Sequence, residues 1–180
     1  MSALRGLGTN GADAIPAVLR ALNDTDNTVA TAAVTTLGML RGAPEQVLPA
    51  LVRCFNDPRP GLRSQALRVV GSYENEASNV LASVVEKLED PVKTVRNAAV
   101  AATCQIHRCP VPFLISELSH SAPLVRESAA HGLQLYARRN TNAFNALTNL
   151  LSDENPDVQK QAATALKSID RMRATRMKVP

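Results

Sequence analysis

The chain repeats itself with a period of about 33 residues, and that period limits what it can fold into. The repeat is anchored on the residue that closes each apolar stretch: Asp24, Asp57, Asp90, His120 and Asp153. The gap is the same from Asp24 to Asp57, from Asp57 to Asp90 and from His120 to Asp153, and slightly shorter from Asp90 to His120. In the ninth position after each anchor stands an alanine: Ala33, Ala66, Ala99, Ala129 and Ala162. Two before it stand Leu22, Phe55, Leu88, Leu118 and Leu151, and six before it Val18, Leu51, Val84, Leu114 and Leu147. Five after it stand Val29, Leu62, Val95, Val125 and Val158. A unit of this length is one supersecondary element, too small to bury its apolar face alone.

Each unit carries two helical patterns. The first, as in 15–23 or 47–56, places apolar residues at i, i+3, i+4 and i+7. The second starts near Pro60, Lys93, Pro123 or Pro156. Proline suits a first helical position, where its missing N–H had no partner to lose. The invariant alanine predicts a close helix crossing that only a small side chain fits. No strand-like alternation competes. The expected fold class is all-α: an α-solenoid of about five stacked antiparallel helix pairs. The expected repeats are about 12–44, 45–75, 76–109, 110–140 and 141–170. Residues 1–11 are expected to form part of a preceding repeat or an N-terminal cap, because Ala3, Leu7 and Gly8 reproduce the spacing of Ala33, Leu37 and Gly38 one repeat earlier. Residues 171–180 are expected to form a basic C-terminal tail, either continuing the last helix or flexible.

Composition fits such an array and removes several classes. At 45% hydrophobic and 20% charged residues, 180 residues can bury a sizeable core. There is no Trp, with 2 Tyr and 3 Phe, which argues against base stacking and aromatic-lined pockets. No apolar run approaches the ~20 residues of a membrane span. Met1–Asn10 lacks the basic and apolar regions of a signal peptide. Three cysteines without framework spacing fit a reducing compartment, so a cytoplasmic location is expected. Charge is uneven. Residues 1–90 hold 8 Lys/Arg and 10 Asp/Glu, giving −2, and residues 91–180 hold 12 and 6, giving +6.

The units resemble HEAT repeats, in the short form of bilin-lyase-like proteins. The resemblance rests on an Asp closing the first helix and a Val-Arg or Leu-Arg pair early in the second. These are Asp57 with Leu62-Arg63, Asp90 with Val95-Arg96, and Val125-Arg126, which lacks the Asp. The resemblance implies a right-handed superhelix, an Asp–Arg ladder of Asp57, Arg63, Asp90, Arg96 and Arg126, and second helices lining a concave side. Ala30 and Gln159 stand where the Arg would be, and His120 where an Asp would be. The ladder is therefore expected to be strongest in the middle.

Catalytic and metal signatures are sparse. Cys104, His107 and Cys109 form the tightest cluster of ligand types, but zinc wants four ligands and no second cluster faces them. His107, His120 and His131 are followed by Arg, Ser and Gly, so the His-Glu pairs of di-iron HEAT enzymes are missing. No nucleophile elbow, phosphate loop or dinucleotide fingerprint occurs. The chain is expected to be no enzyme, with no metal and no cofactor.

The expectation is a protein-interaction scaffold. Its candidate partner-binding residues are Ser64, Arg68, Asn97, Glu127, His131 and Lys160 on the second helices. Arg108, Arg138 and Arg171 join them, because they share one column late in three consecutive repeats. A row of such cations would suit an acidic segment of a protein partner. Its bland counterpart is a set of solvated helix ends, where cations suit the helix dipole. Two other functions stay open: a bilin-lyase-like chromophore-handling protein, from the repeat subclass, and a basic-groove nucleic-acid binder. The missing Trp and the acidic first half make nucleic acid unlikely. No membrane partner is expected.

Overall fold

The computed structural model describes residues 10–107 and 110–180. They fold into α-helices joined by short turns, in the manner of an α-solenoid, and no strand occurs among the described residues. The helices are α1 (Asn10–Ala21), α2 (Asn27–Leu40), α3 (Pro44–Cys54), α4 (Pro60–Ser72), α5 (Leu81–Val85), α6 (Lys93–Ile106), α7 (Pro110–Glu117), α8 (Pro123–Tyr136), α9 (Thr141–Asn149), α10 (Pro156–Ile169) and α11 (Arg171–Arg176). Two units of contact can be separated: residues up to 87 with 92–107, and residues 88–91 with those after 107. The expected partial repeat at Ala3, Leu7 and Gly8 lies outside the described residues, as do Arg108 and Cys109.

In the first unit the pairs are α1 with α2, α3 with α4, and α5 with α6. The second helices then pack in series, α2 on α4 and α4 on α6. In the second unit α7 pairs with α8 and α9 with α10, and α8 packs on α10. Each unit's core is thus shared between neighbouring pairs, as in any array of elements that cannot bury a face alone. All five column alanines are buried.

The anchor residue has a local duty that its position alone did not reveal. Its side chain accepts the backbone N–H two residues on, which closes the turn before the second helix. Oδ1 of Asp24 accepts from Asp26 at 2.8 Å, Oδ1 of Asp57 from Arg59 at 2.8 Å, and Oδ1 of Asp153 from Asn155 at 2.9 Å. His120 does the same through Nδ1, which accepts from Ala122 at 3.1 Å. Histidine at that column is a working replacement for the turn. The second helix then begins with a proline in three pairs, at Pro60, Pro123 and Pro156. Side-chain caps hold α2 and α10: Asp26 accepts from Thr28, and Asn155 from Asp157 and Val158.

The third pair departs from the expected pattern of two regular helices. Its first element is a 3-10 segment at Glu74–Val80, the five-residue α5, and a second 3-10 segment at Glu86–Glu89. Asn75, Ser78, Asn79 and Ser83 compete locally with helical hydrogen bonds, and Val80, Val84 and Val85 are stiff at χ1. Ser78 Oγ indeed donates to the Asn75 carbonyl. Val84 and Leu88 are nevertheless fully buried. Apolar spacing kept its place while backbone regularity was lost.

The basic C-terminus is helical through residue 176. α11 starts from Asp170, whose side chain accepts from the Arg173 N–H at 3.0 Å. Arg173 lies 4.3 Å over the Phe144 ring and donates to Asn145 Oδ1 at 2.7 Å, so it clips α11 to α9.

Candidate partner-binding surface

The second helices were the expected binding rows, and their accessible positions divide by unit. In the first unit Arg68 on α4 and Asn97 on α6 are exposed. Ser64 is not part of that surface: it is buried, and its hydroxyl donates to the Gly61 carbonyl at 3.0 Å. The small side chain let it sink into the first turn of α4. In the second unit Lys160 and Thr164 of α10 are exposed, and Glu127 and His131 of α8 are half-buried. Arg138 and Arg171 are exposed, in the loop after α8 and at the start of α11.

Neighbouring second helices are tied by polar bonds at their edges. Gln65 Nε2 donates to Thr35 Oγ1 at 3.4 Å, from α4 to α2. Gln161 Nε2 donates to Gln134 Oε1 at 2.8 Å, from α10 to α8. Glycine sets the closest approaches. A methyl group at Gly38 would sit 3.0 Å from Cγ2 of Val69, and one at Gly71 would sit 2.8 Å from Cα of Ala102 and collide with Gln105.

Beside α10 lies an open depression of about 390 Å³, lined by Leu151, Pro156, Lys160, Ala163, Lys167 and Pro180 among others. A lining that mixes two lysines with aliphatic groups suits an acidic chain with apolar side groups. A second depression of about 490 Å³ lies on α1 and α2, lined by Ala17, Val18, Ala21, Val29, Ala32 and Thr36 among others. It is mostly apolar.

The arginine column, six after the anchor, faces inward. Arg63, Arg96 and Arg126 are buried, and so is Asp90. Arg126 is held on three sides. Its Nε and Nη2 donate to the two carboxylate oxygens of Asp153, both at 2.8 Å, and Nη1 donates to the carbonyls of His120 and Ser121. The two side chains are only 9% and 7% exposed. The Arg126 bonds hold the Asp153 carboxyl below its usual range. Arg63 donates in the same way to the carbonyls of Asp57 and Pro58. At the last position Gln159 donates to the Asp153 carbonyl, keeping the turn contact without the charge. Asp57 follows Ala30, which offers it no guanidinium, and Arg59 from its own turn takes that place. Arg59 Nε and Nη2 grip Asp57 at 2.8 and 2.9 Å, and Nη1 reaches the Asp24 carbonyl at 3.3 Å. The Arg59 bond lowers the Asp57 carboxyl in turn.

Sequence inspection missed Asp153 as the partner of Arg126, although the bare period pointed to it as the next anchor. It also missed Arg59, which lies in no column. Cys104 is buried and its thiol is pushed up to about 12 by burial, so it is a core residue. No group of three metal-ligand side chains occurs among the described residues. No described helix is long and apolar enough to cross a membrane.

A family model described as HEAT repeats matches residues 1–71 and 111–176. No curated protein matches the chain. Among solved structures, an engineered protein is 22% identical over 93% of this chain and 87% of its own, with a TM-score of 0.47. A designed armadillo repeat protein in complex with the peptide (KR)4 is 23% identical over 94% of this chain and 92% of its own, with a TM-score of 0.46.

Proposed function

Because this chain belongs to the HEAT-repeat family, we propose that it is a non-catalytic scaffold whose second helices hold a protein partner through an acidic segment. The observation that carries this is the open depression on α10, with Lys160 and Lys167 on its wall. Arg138 and Arg171 are exposed in the same unit, and Arg108 belongs to their sequence column. Arg68 and Asn97 present a second polar row in the first unit, and Glu127 and His131 are positioned to tune recognition on α8. The same proposal gives Asp57, Arg63, Asp90, Arg96 and Arg126 a structural duty, because buried guanidinium groups are engaged by turns and carboxylates. A reducing, cytoplasmic setting fits the buried thiols of Cys54 and Cys104.

The test is fluorescence anisotropy with a labelled oligo-glutamate peptide containing leucines. Binding should weaken steeply with added salt, since the attraction is between exposed charges. Changing Lys160, Lys167 and Arg171 to Ala together should abolish it and leave the helical circular dichroism intact. Unchanged affinity in that variant, or turnover of a substrate by the isolated chain, would remove the proposal.

A further inference from the structure

His120 differs from the other anchors in what a proton does to it. Its Nδ1 accepts the Ala122 N–H at 3.1 Å and so closes the turn before α8. Ala122 is the N-cap residue of α8 and brings no side-chain cap of its own. The ring is neither buried nor alone. Its side chain is 39% exposed, and Nδ1 lies 3.9 Å from Oε1 of Glu89, itself 52% exposed. Glu89 belongs to residues 88–91, which fall in the same contact unit as α8. Ser128 Oγ of α8 donates to the Leu88 carbonyl at 3.2 Å, so that segment is held against the helix. One ring nitrogen therefore faces two partners that require it in opposite states. The N–H needs a lone pair there, and the carboxylate needs a proton. Imidazole is the side chain that ordinarily changes charge between about pH 5 and 8.

We propose that His120 is a pH-operated latch on the turn before α8. With the ring neutral, Nδ1 accepts the Ala122 N–H. With the ring charged, Nδ1 has taken a proton from water, releases that N–H and donates to the Glu89 carboxylate. The other charged groups around the turn keep the change local. Arg126 Nη1 donates to the carbonyls of His120 and Ser121, and its charge is met by Asp153 and Glu154. It thus holds the start of α8 in place when the latch opens. Asp90 beside Glu89, Glu117 at the end of α7, and Glu127 and His131 further along α8 are the remaining titratable groups of these elements. The matching turns of other repeats lack the switch. Oδ1 of Asp57 and of Asp153 accept the equivalent N–H, and their arginine bonds hold both carboxyls below the ordinary range. Those turns stay closed through the window in which imidazole titrates. This proposal is independent of the acidic-partner reading, which concerns α10.

Amide exchange with solvent, read by NMR on the full chain, tests the latch. Each rate is divided by that of an unstructured peptide at the same pH, which removes the intrinsic pH dependence. Protection of the Ala122 N–H should fall several-fold from about pH 8 to about pH 5, as expected for the loss of one local hydrogen bond. Its midpoint should coincide with that of the His120 ring resonances. The matching amides of Arg59 and Asn155 should keep constant protection. His120→Asp should make Ala122 behave like them, with His131 still present. Glu89→Gln should move the midpoint to lower pH, because the charged ring loses its counter-charge. Constant protection at Ala122 down to the acid end of the range would overturn the proposal. So would a parallel loss at Arg59 and Asn155, which would mean a general loosening. An unmoved midpoint in Glu89→Gln would overturn the exchange of partners.

Discussion

In the second pair, α3 runs unbroken from Pro44 to Cys54, over a core of Val47, Leu48 and Leu51. In the third pair the same place in the repeat is filled by two 3-10 segments around the five-residue α5. Both pairs bury the same columns, Leu51 matching Val84 and Phe55 matching Leu88. Both feed a second helix of full length, α4 and α6. Apolar spacing therefore fixes which side chains enter the core, while side-chain chemistry between them decides whether the backbone stays α-helical. The 3-10 geometry makes poorer hydrogen bonds, so the third pair has the weaker first element. Its second helix carries a further weakness. Thirteen after the anchor stand Leu37, Val70, Leu133 and Leu166, all buried, but the third pair has Thr103. The Thr103 hydroxyl is buried with no hydrogen-bond partner. A stranded hydroxyl of that kind costs about 1–3 kcal/mol.

The contrast can be broken at the joint between the two pairs. Gly71→Ala adds a methyl group 2.8 Å from the Ala102 Cα, which is backbone and cannot swing aside. Separating α4 from α6 should cost about 3 kcal/mol in a urea melt. Gly38→Ala meets only the Val69 side chain, at 3.0 Å and beyond, and needs it to give by a few tenths of an ångström, so it should cost clearly less. Equal losses would mean that the close approach at Gly71 is not a packing constraint.

A rung away from the third pair gives a reference for well-ordered contacts. Asp153→Ala leaves Arg126 with its carbonyl partners and Glu154, and should cost about 2 kcal/mol. The Asp153 carboxyl is depressed in the folded chain. Its contribution is thus complete above the unfolded value near 3.9 and is lost as pH falls through the lower folded value. Acid titration followed by circular dichroism should show wild type and variant converging as pH falls from the unfolded value through the lower folded one. A gap that stays constant through the acid range would contradict the ion pair.

The contrast can also be narrowed. Thr103→Val removes the unpartnered hydroxyl at constant shape and should stabilise the chain by about 1 kcal/mol. A loss instead would show that the hydroxyl is satisfied. The smallest effect belongs to Gly61, exposed in the first turn of α4 with nothing within 4 Å of its would-be methyl group. Gly61→Ala should raise stability by about 0.5–1 kcal/mol through helix propensity alone. It would strengthen the second pair and widen its lead over the third.

Much of this was legible in the sequence, for reasons that differ by residue. The second helices begin at Pro60, Lys93, Pro123 and Pro156, where proline or polar residues follow a closed turn. The five alanines are buried as a small-residue column should be. The break in the third pair was hidden because Val84 and Leu88 keep the helical spacing, and spacing says little about local competition from Ser and Asn. The anchor looked like a ladder acid, but its first duty is the turn, which is why His120 can replace it. Ser64 looked like a surface residue because its column holds Thr31, Asn97, Glu127 and Lys160, yet a small hydroxyl can bury itself on the nearest carbonyl. Arg59 escaped because it compensates for Ala30 from outside the arginine column.

The central claim is that the third pair opens before its neighbour although both bury the same columns. Native-state hydrogen exchange read by mass spectrometry tests it directly. Amides of residues 74–89 should exchange much faster than those of 44–56, and Thr103→Val should slow exchange across α6. Equal protection of the two segments would contradict the claim, because apolar columns alone would then set local stability.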